Sequence, residues 1–221
     1  VEGDDLCAVA LRELRRTAGR ASVPPLEVEV DKRVPVAAGL GGGSADAAAV
    51  LRAANRLAGE PLDQEALRAV GARVGADVPS QIAPGHALVQ GAGERVEPLS
   101  LPLMALVLLP QERGLSTAEV YEEADRIGAT RRRLNPEAVR AIAARQLELL
   151  APSLENDLEA PVLSLRPELA EALAVLEETG ALAALVTGAG PTVFGVFEHA
   201  ARARDVAERL PGALVTSVAG R

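Results

Sequence analysis

The chain has 221 residues, enough for one large or two small domains with buried cores, and aromatic residues make up only 1% of it, so Leu, Val and Ala must fill the interior. Its formal charge is −8, with acidic residues in excess in both halves and no basic block. Nucleic acid is excluded as an expected partner, because binding a phosphate backbone needs clustered Lys and Arg.

Between Asp4 and Ala18, Leu6, Ala10, Leu11 and Leu14 recur at helical spacing, with Asp4 or Asp5 as the N-cap. Val1-Glu2-Gly3 lacks the basic residues of a secretory signal, and no run of about 18 apolar residues occurs, so a cytoplasmic protein without membrane contact is expected. Cys7 is the single cysteine, which rules out an intramolecular disulfide and reads as a buried thiol. After Pro24-Pro25, the residues Leu26, Val28 and Val30 alternate with Glu27, Glu29 and Asp31, the pattern of a half-buried strand continuing to Val36. A glycine-dense turn follows, and then a helix to Leu57 that Ser44 or Asp46 can cap and Gly59 stops. Asp63 caps a further helix with Leu67, Val70 and Val74 on its apolar face.

Asp77 then stands in a turn between helix and strand, with Pro79 fixing the backbone beyond it; by position alone it is a turn residue or a cap. Residues 86–90 and 95–98 read as a hairpin around Gly91-Ala92-Gly93, and His86, far from any Cys or second His, is given no metal role. A boundary at 98–102 divides the chain into domains 1–99 and 100–221. Residues 103–109 form an unbroken apolar run, the mark of a strand buried on both faces. Ser116 and Glu119 make a capping box, and Arg131-Arg132-Arg133 reads as a solvated turn before a helix that Asn135-Pro136 opens and that reaches Leu150. Asn156-Asp157-Leu158-Glu159 leads into 161–165, and Pro167 starts a helix that Gly180 ends. Residues 184–186 and 192–197 are strands joined by Thr187-Gly188-Ala189-Gly190-Pro191; an amphipathic helix over 200–210 and a strand over 213–218 complete an α+β content.

The stretch Pro35-Val36-Ala37-Ala38-Gly39-Leu40-Gly41-Gly42-Gly43-Ser44-Ala45 has two readings. Glycines let the backbone approach a ligand closely, and a glycine loop opening a helix presents free N–H groups and the positive end of the helix dipole to a polyphosphate. Equally, such a turn can do no more than pack a helix on a strand. The P-loop pattern does not fit, since no lysine precedes Ser44, and neither does the dinucleotide fingerprint, which needs glycine where Ser44 stands.

The pattern Pro-x-x-x-Gly-Leu-Gly-x-x-Ser-x-Ala of the GHMP kinases does fit, through Pro35, Gly39, Leu40, Gly41 and Ser44, with Ala47 carrying the alanine run one residue late. Gly43 and Lys32-Arg33, the segment Gly75-Ala76-Asp77-Val78-Pro79, the N-D-L-E stretch 156–159 and the loop 187–194 also resemble that family, in its order. The resemblance implies a two-domain fold, an incomplete ribosomal-protein-like N-terminal part and a ferredoxin-like α/β-sandwich C-terminal part. It implies transfer of the γ-phosphoryl of ATP to the 2-hydroxyl of 4-diphosphocytidyl-2-C-methyl-D-erythritol, in a monomer or homodimer. On this resemblance residues 35–45 hold ATP, Ser44 reaches a phosphate oxygen or Mg²⁺, Lys32 lies near the adenine, Asp77 is the catalytic base at the substrate, and Thr187, Gly188, Ala189 and Gly190 line the opposite wall of the cleft.

The family's first motif, Pro-x-Lys-x-Asn, has no counterpart, nor has its Tyr-His segment that grips cytosine. Two explanations stand: a truncated record, or a true loss that leaves nucleotide binding without efficient turnover. Without the first strands, the strand over 26–36 is expected to lack a neighbour and leave an open edge prone to association. A kinase of the same family acting on homoserine or mevalonate is the other alternative.

Overall fold

The computed structural model describes residues 5–129 and 135–218. The expected Arg131-Arg132-Arg133 turn and the Asp4 alternative as a cap lie outside the described residues. By its contacts the chain divides at three points, giving one unit of Val1–Arg33 with Gly41–Leu99 and a second of Val34–Leu40 with Ser100–Arg221. A single cut after residue 99 therefore misses the passage of 34–40 into the second unit.

In the first unit, helix α1 (Leu6–Ala18) is capped by Asp5, whose carboxylate accepts from the Cys7 amide at 2.7 Å. Helix α2 (Gly42–Leu57) lays Ala47, Ala48, Leu51 and Ala54 against Ala10 and Leu14 of α1, and these small side chains let the two helices pack closely. Helix α3 (Gln64–Ala72) starts at Asp63, which accepts from the Ala66 amide at 2.8 Å. The short helix α4 (Val78–Gln81) follows, and Val78 and Ile82 enter the same core. Asp77 thus precedes a helical turn, which corrects the expected turn into a strand. Pro79 sits in that first turn, where a missing N–H leaves no hydrogen bond unmade. Strands β1 (Ala87–Gln90) and β2 (Arg95–Pro98) form the expected antiparallel hairpin, with Ala87 opposite Pro98 and Gln90 opposite Arg95.

Residues 26–31 keep the burial alternation of the sequence, with Leu26, Val28 and Val30 half-buried and Glu27, Glu29 and Asp31 exposed. They join no ladder among the described residues, so the expected strand is an extended segment without a hydrogen-bonded neighbour. The pattern depends on the residues themselves, whereas a strand also needs a partner for its N–H and C=O groups.

The second unit is built on an antiparallel sheet of order β4-β5-β3-β6, made of β3 (Met104–Leu109), β4 (Ala183–Val186), β5 (Val193–Phe197) and β6 (Leu214–Val218). Alternate residues of β3 enter two cores. Ala105 and Val107 face a cluster with Val120, Val162, Leu169, Leu176 and Phe197, while Met104 joins Leu147, Leu150 and Ala151 on the other face. The helices are α5 (Thr117–Ile127), α6 (Pro136–Ala143), α7 (Leu147–Leu150), α8 (Glu159–Leu165), α9 (Leu169–Glu178) and α10 (Ala200–Ala207). The single helix expected from Asn135 to Leu150 is broken at 144–146, and beyond the break Leu147 and Leu150 are buried beneath the sheet. No helix among the described residues is long and apolar enough to cross a membrane.

Candidate functional site

Helix α2 begins with Gly41 as its N-cap in the left-handed conformation, φ +66°, not with Ser44 or Asp46 as the sequence suggested. Its first helical hydrogen bond runs from the Ala45 amide to the Gly41 carbonyl at 3.0 Å, so Gly42, Gly43 and Ser44 occupy the turn whose amides have no partner within the helix. Among the described residues no side chain caps that turn, and a Cβ placed on Gly41 would meet nothing within 4 Å. An uncapped, positively polarised helix start facing open space suits an anion. Ser44 is half-buried in the same turn, and Ala45 is exposed.

Lys32, the one lysine of the chain, places Nζ 2.5 Å from Oδ2 of Asp46, in the second turn of α2. The Asp46 carboxylate raises the Lys32 pKa and so keeps it charged. Asp5 lies close enough to Lys32 to add to that effect, while the Cys7 amide holds the Asp5 carboxyl below its usual range. Burial first, then Asp5, pushes the Cys7 thiol up to about 11. The structure thus ties Lys32 to the helix that the glycine turn opens, through a partner, Asp46, that sequence reasoning used only as a cap.

Asp77 is exposed and sits on a braced element of the same unit. Arg52 of α2 donates to the Gln81 carbonyl of α4, and Ser80 Oγ donates to the Asp77 carbonyl at 2.8 Å. On the other side, a Cβ on Gly93 of the β1–β2 hairpin would lie 1.9 Å from the Ala76 carbonyl oxygen, so the hairpin presses directly on the residue before Asp77.

The preceding residues, 34–40, pack within the second unit. Ala37 takes a left-handed conformation at φ +56°, and its carbonyl accepts from the Leu115 amide at 3.3 Å. Pro35 and Val36 are exposed, Ala38 is buried and Leu40 half-buried. Gly39, φ +73°, has no room for a side chain, since a Cβ there would stand 2.4 Å from the Thr187 carbonyl oxygen and 2.7 Å from that of Gly190. Thr187 Oγ1 donates to the Gly39 carbonyl at 2.8 Å, and the Thr192 amide reaches the Ala38 carbonyl at 3.4 Å. The loop Thr187-Gly188-Ala189-Gly190 therefore grips the segment 37–40, which corrects the expectation that it faces that segment across a cleft.

Sequence reasoning gave no site role to Asn156 and Glu159. Asn156 Nδ2 donates to the Val186 and Gly188 carbonyls, both at 2.8 Å, while its Oδ1 accepts from the Leu158 amide at 3.0 Å. Glu159 Oε2 accepts from the Val186 amide at 2.9 Å. Their partners lie about thirty residues away, so no local spacing rule exposes the contact.

The comparison with known proteins rests on both units. Residues 5–85 match the GHMP kinases N terminal domain and residues 138–216 the GHMP kinases C terminal domain. The chain belongs to the GHMP kinase family. Over 98% of its length this GHMP kinase is 40% identical to 4-diphosphocytidyl-2-C-methyl-D-erythritol kinase of Leifsonia xyli subsp. xyli, of which it covers 74%. It is 42% identical over 95% of its length to the protein of the same name from Pelotomaculum thermopropionicum, covering 75% of it, and 39% identical over 90% to that of Rhizobium johnstonii, covering 65%. The chain thus spans about two thirds to three quarters of these relatives. A crystal structure of 4-(cytidine 5'-diphospho)-2C-methyl-D-erythritol kinase matches 98% of the chain at a TM-score of 0.79 and 33% identity, with 79% of that structure covered. A homoserine kinase from Cytophaga hutchinsonii, 17% identical with a TM-score of 0.76 over the whole of this chain and 78% of its own, shares the fold.

Proposed function

We propose that the protein phosphorylates the 2-hydroxyl of 4-diphosphocytidyl-2-C-methyl-D-erythritol with ATP, a step of non-mevalonate isoprenoid precursor synthesis in the cytoplasm. The observation that carries this reading is the first turn of α2, opened by left-handed Gly41 with no capping side chain and nothing close to its face among the described residues. Its relatives at about 40% identity supply the acceptor. The two units stand for the N- and C-terminal kinase domains, with 34–40 the exception.

Phosphoryl transfer asks a protein for positioning and for neutralisation of charge, with a base to take the hydroxyl proton. The amides of Gly42, Gly43 and Ser44 orient the phosphates, and the segment from Pro35 to Leu40, immobilised at Gly39, fixes the path by which the chain enters that turn. Lys32, held by Asp46, lies beside the nucleotide. Among the described residues no three His, Cys, Asp or Glu side chains gather as a metal cage. Ser44 Oγ, in the first turn of α2, would hold a Mg²⁺ ion brought in by the phosphates. Such an ion supplies neutralisation of the charge on the transferred group. Asp77 accepts the proton of the acceptor hydroxyl, for which it must come within about 3 Å of that oxygen.

The test is ATP consumption with and without the diphosphocytidyl substrate, with the phosphorylated product identified by ³¹P NMR. Turnover should require that substrate, and Asp77→Asn should abolish it while leaving ATP binding within about twofold of the parent. ATP binding without a phosphorylated product would overturn the reading, and turnover of homoserine or mevalonate instead would move it to another branch of the family.

A further inference from the structure

We propose that Asn156 and Glu159 are positioning residues for the glycine segment, acting through the loop 187–190. Every polar group of the Asn156 side chain is committed. Its two amide hydrogens go to the carbonyls of Val186 and Gly188, and its oxygen takes the amide of Leu158, at the residue that opens α8. Glu159, one turn on, takes the amide of Val186. Val186 thus has both its N–H and its C=O bound by side chains of one short stretch, just where strand β4 ends and the glycine loop begins.

The loop so fixed is the surface against which Gly39 is pressed. Thr187 Oγ1 donates to the Gly39 carbonyl, and the Thr187 and Gly190 carbonyl oxygens fill the space a Gly39 side chain would need. Gly188 and Gly190 have no side chains to limit their conformational freedom, so side chains from outside the loop add to the bond its own backbone makes from Gly190 to Thr187. Asn156 and Glu159 supply that restraint from the start of α8. Through Thr187 it passes to residues 37–40, the stretch that leads by two peptide bonds into the first turn of α2. The chain from Asn156 to Gly39 lies wholly within the second unit.

The consequence for ATP rests on the kinase reading above, whereas the consequence for loop order does not, so the experiment measures both. Asn156→Asp is the sharpest variant, because it keeps the oxygen that accepts from Leu158 while replacing both donors with lone pairs facing two carbonyls. Hydrogen exchange should quicken about tenfold or more at the amides of Thr187 and Gly190 within the loop, and at those of Thr192 and Leu115, which donate to the Ala38 and Ala37 carbonyls, with the core strands β3 and β5 unchanged. MgATP binding should weaken about tenfold at a temperature well below the unfolding midpoint. Thr187→Val should weaken ATP similarly and add little to Asn156→Asp in the double variant, since both break one path. Glu159→Gln, which still offers an oxygen to the Val186 amide, should restore most of what Glu159→Ala loses.

Unchanged exchange at Leu115 and Thr192 in Asn156→Asp would overturn the proposal, as would fully additive losses of ATP affinity with Thr187→Val. If Asn156→Asp does not fold, Thr187→Val and the Glu159 pair decide by the same readouts. Quickened exchange in a protein that binds no ATP would leave the positioning role standing and remove the kinase reading instead.

Discussion

Gly39 and Gly41 stand two residues apart, both left-handed, and replacing each with alanine should separate the two functions of the glycine turn. At either position a Cβ in the left-handed conformation costs roughly 1–2 kcal/mol, of which about 0.5–1 is recovered because alanine restricts the unfolded chain. For Gly41 that is the whole cost, since its Cβ would meet nothing within 4 Å. For Gly39 the Cβ would lie 2.4 Å from one backbone oxygen and 2.7 Å from another, in a loop held by side chains on its far side. Overpacking against backbone adds about 1–3 kcal/mol, and forcing the loops apart loses the bond from Thr187, worth about 1 kcal/mol more. Gly39→Ala should therefore destabilise the second unit by about 3 kcal/mol or more, and Gly41→Ala the protein by about 1 kcal/mol or less. Hydrogen exchange at the amides of β3 and β5 as a function of urea follows the unfolding of the second unit. ATP binding should show the reverse economy: Gly41→Ala, nearly neutral for stability, places a methyl group in the space proposed for phosphate and should weaken ATP by about tenfold or more. Equal stabilities for the two variants would refute the packing argument, and unimpaired ATP binding by Gly41→Ala would refute the assignment of that space.

Three further outcomes can be measured directly. The Arg126 guanidinium, aided by Ser164, holds the nearly buried Glu123 carboxyl down at about 2 against an ordinary value of 4.5, so its contribution is complete above 4.5 and lost as pH falls toward 2. The difference in urea midpoint between the parent and Glu123→Gln should accordingly narrow between pH 5 and the acid limit, and a difference independent of pH would count against it. Cys7, buried and with its thiol pushed up to about 11, should react with a thiol-specific disulfide reagent at pH 8 only as fast as the protein opens, and at once in denaturant. Asp63→Ala, which removes the cap on α3, should lower stability by about 1 kcal/mol, with Asp63→Asn recovering most of it.

The features legible in the sequence are those whose cause is local. Asp63, Ser116 and Asn135 each cap the helix expected of them, because a cap links a side chain to an amide two or three residues ahead. The unbroken run of β3 announced burial on both faces, and β3 indeed lies between two strands and between two cores. The extended segment over 26–31 shows the limit of the same logic, since its alternation is real while its pairing depends on a neighbour that its own residues cannot specify. The break at 144–146 is of that kind too. Nothing in Ala144-Arg145-Gln146 stops a helix by propensity, and what distinguishes the stretch is the burial of Leu147 and Leu150 beneath a sheet formed by distant residues.

The glycine turn itself carries the same lesson one step further. In sequence, Gly39-Leu40-Gly41 is one motif, read as a whole either as a cradle for phosphate or as a packing turn. In three dimensions the first glycine is required by what touches it and the second by what does not. The tight contact of Gly39 is with Thr187 and Gly190, themselves held by Asn156, so the cause of one glycine lies about 150 and 120 residues downstream. That division of labour follows from physics: an anion site made of backbone amides must keep its open face free of side chains, and the segment leading to it must then be held from behind. Residues that hold it need no contact with the ligand and need not share its motif, which is why an asparagine in a different part of the chain belongs to the argument for the phosphate turn.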